Sequence, residues 1–299
     1  MQRFQGTVAK PVLFAGVGLH SGSLVNLEIL PLPPDSGIVF QRTDLSHAER
    51  ILASPSNVFS TFLSTTIGKQ SNTVATIEHL MAAFWGMGID NALVLVSAGE
   101  IPILDGSSAP FVDKFLETGV QIQHVPRAFL SVKEGFRVSE DDKYVDYVPP
   151  FDKDSAQLEV KCIVEFPSVA IGRQELDFIF TQDNFMRINE ARTFCHIESV
   201  RVMREKGLAL GGSLDNAVVV DNEKVLNTEG LRYSDEFVRH KILDFIGDIA
   251  LLPGSLVGKI TLYKNGHTLH SLFTKKFMEE LKKAEKHPSV GKRIFSAFG

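Results

Sequence analysis

Asp235-Glu236-Phe237-Val238-Arg239-His240-Lys241-Ile242-Leu243-Asp244-Phe245-Ile246-Gly247-Asp248 is the stretch on which the reading of this chain turns. Its periodicity predicts a helix, and at 3.6 residues per turn His240, Asp244 and Asp248 fall on one side. A histidine and an aspartate at i, i+4 can grip one divalent metal from adjacent turns, with Asp248 a turn further on to hold a neighbouring polar group. The other side carries Val238, Ile242, Phe245, Ile246, Ile249 and Leu252, enough apolar surface to dock on a sheet. Taken alone, a polar side opposite an apolar stripe reads as a solvated face, so the rest of the chain has to decide.

The chain has 299 residues, room for two domains. A hydrophobic content of 44% against 22% charged residues is a globular balance, not a disordered one. The net charge of -5 argues against a generic nucleic-acid binder, which needs concentrated Lys and Arg. Cys162 and Cys195 are too few for a disulfide framework or a cysteine-based zinc site, and they suit a reducing cytoplasm. Met1 to Lys10 has no apolar core of a signal peptide, and runs such as Asn91 to Ala98 are too short to span a bilayer.

In chain order, Thr7 to Gly16 reads as strand and Gly16 to Gly22 as a glycine-rich hairpin turn, with His20 at its tip, since Leu24 to Leu30 continues as strand and not helix. Thr76 to Trp85 reads as a helix, with Thr73 or Thr76 as cap. Ile77, Leu80, Met81 and Phe84 form one face; His79, Ala82 and Ala83 form the other, whose small side chains allow a second element to come close. A buried strand follows over Asn91 to Val96, then a helix over Ala109 to Thr118 with a first-turn proline at Pro110. A boundary is expected near Gln121 to Pro126, dividing the chain into 1–124 and 125–299. Beyond it, strands are predicted over Phe129 to Val138, Tyr144 to Pro149, Gln157 to Phe166 and Glu175 to Phe180. Helices are predicted over Phe185 to Glu190 and Ile197 to Lys206.

Both halves hold a helix bearing a histidine, a glycine break and a buried strand, most clearly at 79–96 and 240–263. This weak repeat predicts an α+β protein of two similar halves. If the two histidine helices lie back to back between two sheets, His79 meets His240 and Asp244. Two imidazoles and a carboxylate suit zinc, or iron in its place, with a fourth position left for water. Glu78, about 100° around the helix from His79, borders that position as a candidate base, and Lys241 brings positive charge. His267 is a candidate proton donor with Asp248 behind it, and the Thr193 hydroxyl a candidate for holding a carbonyl oxygen. Each also reads singly as a surface charge, a loop histidine or a turn residue. In conjunction they describe hydrolysis of an amide or ester.

Five motifs carry a family resemblance: Thr76-Ile77-Glu78-His79-Leu80, Ile101-Pro102-Ile103-Leu104-Asp105-Gly106-Ser107, Ala191-Arg192-Thr193-Phe194, Leu210-Gly211-Gly212-Ser213 and Phe237-Val238-Arg239-His240-Lys241-Ile242-Leu243-Asp244. In this order the chain resembles the UDP-3-O-acyl-N-acetylglucosamine deacetylases, zinc enzymes of lipid A biosynthesis in Gram-negative bacteria, from about Gly6 to Leu272. The resemblance implies two domains, each a sheet with helices, the helices sandwiched between the sheets. It implies zinc on His79, His240 and Asp244, Glu78 as general base, and Lys241 and Thr193 on the tetrahedral intermediate. It also implies His267, oriented by Asp248, as proton donor to the glucosamine nitrogen. An insert near 194–219 would form an apolar acyl passage, with Phe194, Val200, Met203, Leu208 and Gly212 as substrate-binding positions; the apolar ones read equally as ordinary core. Lys264 and Lys143 are the implied diphosphate contacts. The expected protein is a cytoplasmic monomer acting on an acylated UDP-sugar, with no room after Gly299 for a fused dehydratase domain and a solvated C-terminal helix that at most brushes a membrane.

Overall fold

The computed structural model describes residues 2–152 and 156–286. Two five-stranded sheets form its outer layers. One runs Val12–Val17, Leu24–Pro31, Ala92–Val96, Ile38–Arg42, Ile51–Leu52; the other Phe136–Glu140, Lys143–Val148, Gly258–Tyr263, Leu158–Glu165, Arg173–Ile179. In each, the last strand to form in sequence is inserted between the second and third, antiparallel to one neighbour and parallel to the other. Such a parallel neighbour needs a crossover. A helix enters that central strand in both halves: α1 (Glu78–Met87) in the first and, after α2 (Ala109–Thr118), α3 (Gln182–Phe185) and α4 (Ile197–Glu205), α5 (Glu236–Ile249) in the second. The repeat that the sequence shows only faintly is thus a repeat of topology. Helix α6 (His267–Lys286) completes the second half.

α1 and α5 pack on each other in the middle layer. Every residue of α1 except Trp85 is buried, and every residue of α5 except Arg239 and Lys241. One continuous core joins both helices and both sheets, which is the sandwich the sequence leads one to expect. The helices approach closely because Gly247 has no side chain: a Cβ there would lie 2.0 Å from the Glu78 carbonyl oxygen. Ala82 and Ala83 are fully buried on α1. Gly88 ends α1 in the left-handed region (φ 73°), its N–H returning to the Phe84 and Trp85 carbonyls.

Several local expectations need correction. Neither Thr73 nor Thr76 caps α1: the N-cap is Ile77, and Thr76 (φ 57°) donates its hydroxyl to the buried Glu100. Phe129 to Val138 is broken into Phe129–Leu130 and Phe136–Glu140, and the short helix lies at Gln182–Phe185, where Thr181 caps it, not at Phe185 to Glu190. Val120–Pro126, at the expected boundary, is a strand paired with Phe4–Val8, which does not bear on the division into 1–124 and 125–299. His267 starts α6 and is not a loop histidine. Nor is α6 solvated, for Leu269, Phe273, Phe277 and Leu281 are buried on one side of it. The expected chain end beyond residue 286 lies outside the described residues. No helix among them is long and apolar enough to cross a membrane.

Candidate active site

The crossing of α1 and α5 brings three polar side chains together in the middle layer. His79 Nε2 lies 3.6 Å and His240 Nε2 3.2 Å from the same oxygen, Asp244 Oδ1, and all three residues are buried. Their potential ligand atoms lie within 4.8 Å of one another. The His240 ring is oriented from behind: Nδ1 stands 2.9 Å from the Ala191 carbonyl, which can only accept, so Nδ1 carries the proton and Nε2 presents a lone pair. A lone pair facing a carboxylate oxygen is an unfavourable pairing, and Asp244 Oδ1 is buried without a hydrogen-bond partner. A cation bound by these atoms removes both conflicts. Burial raises the Asp244 carboxyl, but the adjoining His240 ring and the Lys241 ammonium outweigh it and hold the group well below the usual carboxylate range. Lys241 Nζ is 2.8 Å from Asp244 Oδ2.

Next to this cluster stands an acid–base pair. Glu78, the residue before His79, is buried, and burial raises its carboxyl. One oxygen accepts the Thr65 N–H at 3.1 Å; the other is 3.8 Å from His267 Nε2. His267 Nδ1 donates to Asp248 Oδ2 at 2.7 Å. Burial disfavours the imidazolium, but the carboxylates of Asp248 and Glu78 outweigh it and raise His267 to about 9. Burial is likewise outweighed at Asp248, chiefly by His267, and that carboxyl falls to about 2. His267 is therefore a cation at neutral pH, with Nε2–H turned toward Glu78.

Asp248 has two further partners, neither of them among the residues singled out from sequence. The Thr65 hydroxyl donates to Oδ1 at 2.5 Å, and His270 Nδ1 donates to Oδ2 at 2.6 Å. Asn265 Nδ2, which can only donate, meets His270 Nε2 at 2.8 Å and fixes that ring as the neutral Nδ1–H form. Asp248, His267 and His270 also have metal-ligand spacing. However, their facing atoms are already paired as donors and acceptors, unlike those around Asp244. The i, i+3 spacing of His267 and His270 at the start of α6 is the one sequence signal for this arrangement. Thr65 lies just before the short strand Thr66–Lys69 and offers none.

Thr193 and Phe194 run beside α5. The Phe194 ring centroid is 6.1 Å from that of His240, and Lys241 Nζ is 5.5 Å from it. The Thr193 side chain is half-buried, and its main chain is held by Gly106 and Val218. In the insert, α4 has no buried residue: Val200, Met203 and Leu208 are half-buried, and Val202, Leu210 and Leu214 are exposed. Gly212 receives the Arg204 guanidinium on its carbonyl. The passage positions therefore do not form an ordinary closed core. Lys264 is engaged by Asp142 at 2.8 Å and Glu165 at 3.6 Å; Lys143 is exposed on the neighbouring strand, where Tyr144 stacks on Tyr263.

Residues 5–279 match the family described as LpxC, UDP-3-O-acyl N-acetylglycosamine deacetylase. The chain belongs to the UDP-3-O-acyl N-acetylglycosamine deacetylase family. Among similar proteins is the UDP-3-O-acyl-N-acetylglucosamine deacetylase of Thioalkalivibrio sulfidiphilus, 44% identical over 89% of this chain and 87% of its own. The deacetylases of the same name from Sulfurimonas denitrificans (43% identical, 96% of this chain and 95% of its own) and Myxococcus xanthus (43%, 92% and 87%) are equally similar. The UDP-3-O-acyl N-acetylglycosamine deacetylases are metalloenzymes, and among the described residues the cluster around Asp244 has the donor set and the electrostatic need for a cation.

Proposed function

We propose that this enzyme removes the N-acetyl group of a UDP-3-O-[(3R)-3-hydroxyacyl]-N-acetylglucosamine, releasing acetate in the committed step of lipid A biosynthesis. The single observation that carries the reading is the juxtaposition of the orphaned Asp244 Oδ1 with two imidazole nitrogens, beside a carboxylate and a cationic histidine 3.8 Å apart. His79, His240 and Asp244 would hold zinc, whose two nitrogen and one oxygen donors suit it, or iron in its place. When bound, such an ion supplies Lewis acidity and lowers the pKa of water.

The chain's own residues do the rest. Glu78, raised by burial, accepts a proton from the attacking water. Lys241 and the Thr193 hydroxyl hold the charge that develops on the acetyl oxygen. His267 delivers its Nε2 proton to the departing glucosamine nitrogen, while Asp248 keeps the ring oriented and charged. The half-buried face of Val200, Met203 and Leu208, with Phe194 and Gly212, takes the acyl chain, and Lys264 and Lys143 face the diphosphate. Lys264 reaches it by exchanging Asp142 and Glu165 for phosphate oxygens. Both cysteines are free, which supports a reducing, cytoplasmic setting.

The test is metal analysis of the purified protein beside an assay of acetate release from the acylated UDP-sugar. One equivalent of metal and chelator-sensitive acetate release are expected; release that survives complete removal of metal would sink the reading.

A further inference from the structure

Three of residues 191–194 are joined to α5. The Ala191 carbonyl meets His240, Arg192 meets Glu236, and the Phe194 ring packs on Phe237 with centroids 4.9 Å apart. Glu236 lies one helical turn before His240 and is fully buried; Arg192 is 2% exposed. Glu236 Oε1 accepts both the Arg192 main-chain N–H (3.0 Å) and Nε–H (2.9 Å), so one carboxylate oxygen holds the backbone and the side chain of the same residue. Oε2 accepts Arg192 Nη2 at 3.3 Å and the Arg232 N–H at 2.7 Å. Nη1 donates to Glu229 Oε1 at 3.0 Å and Nη2 also to the Gly230 carbonyl at 2.8 Å. A buried pair with this many bonds does more than neutralise charge, because its main-chain bond sits between the Ala191 carbonyl and Thr193.

We infer that Glu236 and Arg192 are positioning residues that together clamp segment 191–194 onto α5. The clamp sets the Ala191 carbonyl, and through it the Nδ1–H form and rotation of the His240 ring. The same bond fixes where the Thr193 hydroxyl stands. The helix that carries the metal ligand therefore also carries the carboxylate that orients that ligand from behind, and the two move as one body. This inference rests on the assignment of His240 and Thr193 made above. Groups that orient a metal-bound histidine typically change metal affinity or activity by roughly 10- to 100-fold when removed.

The experiment uses the full chain loaded with Zn2+ or Co2+ and compares wild type with Glu236→Gln. The substitution keeps one acceptor and turns the other into a donor facing two donors. The metal dissociation constant should rise about tenfold or more, and the visible spectrum of the Co2+ form should change. At saturating metal, kcat should fall about tenfold, with KM altered by less than about threefold. Asp90→Asn, which weakens the partly buried Arg127–Asp90 pair at 2.7 Å, is the comparison for plain destabilisation: a lower Tm with metal affinity unchanged. A Glu236→Gln protein that behaves like Asp90→Asn, losing Tm but keeping wild-type metal affinity and Co2+ spectrum, overturns the inference. Should Glu236→Gln fail to fold, Arg192→Lys, which retains charge but loses the planar fork, is read by the same criteria. His240→Ala separates the two levels. If it too keeps wild-type metal affinity, the metal assignment fails; if it loses metal while Glu236→Gln does not, only the clamp fails.

Discussion

Gly247 lies so near Glu78 that a Cβ on it would stand 2.0 Å from the Glu78 carbonyl oxygen. This contact sets how closely α5 crosses α1, and so whether His79 reaches the atoms that His240 and Asp244 present. Because the obstacle is backbone, no rotamer change relieves it.

Gly247→Ala should therefore be costly out of proportion to one methyl group. Overpacking of this kind costs roughly 1–3 kcal/mol, and here it also spreads the two helices. A fall in Tm together with a weakened metal dissociation constant is expected. Thermal unfolding and metal titration that both match wild type would show that the crossing does not govern the site.

Glu78→Ala should keep the metal and lose turnover. A positioned general base contributes roughly 10²–10⁴-fold, so kcat should drop by at least two orders of magnitude with metal stoichiometry intact. Loss of metal from this variant would mean that Glu78 is a ligand.

The protonation of His267 gives a pH prediction whose sign can be worked through. The ordinary histidine value of 6.5 is raised to about 9, so the charged form persists until pH rises through about 9. In metal-free protein its stabilising contribution is full below 6.5 and lost as pH climbs through about 9. Asp248→Asn removes the largest group raising it, and an NMR titration of the metal-free variant should find His267 titrating lower. In the loaded enzyme a nearby dication pulls the value down. There kcat/KM should be bell-shaped, its acid limb set by Glu78, which burial raises above 4.5, and its alkaline limb by His267. A His267 titration unmoved by Asp248→Asn would remove Asp248 from its orienting role.

Met203→Asp and Val200→Asp place a carboxylate where the acyl chain is expected to lie. Burying a side chain of this size is worth roughly 1.5–3 kcal/mol, so KM should rise about tenfold or more for the acylated substrate while metal content stays normal. Equal effects on substrates with and without the acyl chain would deny α4 a part in acyl binding.

Much of this protein was legible in one dimension because periodicity is a local property. The apolar stripe of α5 and the i, i+4 spacing of His240 and Asp244 follow from helix geometry alone, and the alanines opposite the large face of α1 indicate a covered surface. The end of α1 at Gly88 follows just as locally from glycine's tolerance of positive φ. Tertiary structure decided which distant groups share an environment. Thr65 and His270 complete the Asp248 carboxylate from two other elements, and Glu236 holds Arg192 from across the interface. Lys264 is taken up by Asp142 from a hairpin turn and by Glu165 from the end of a strand. Apart from the i, i+3 spacing of His267 and His270, these pairings leave no pattern in the sequence, since each depends on two sheets closing over two helices at the distance that one glycine allows.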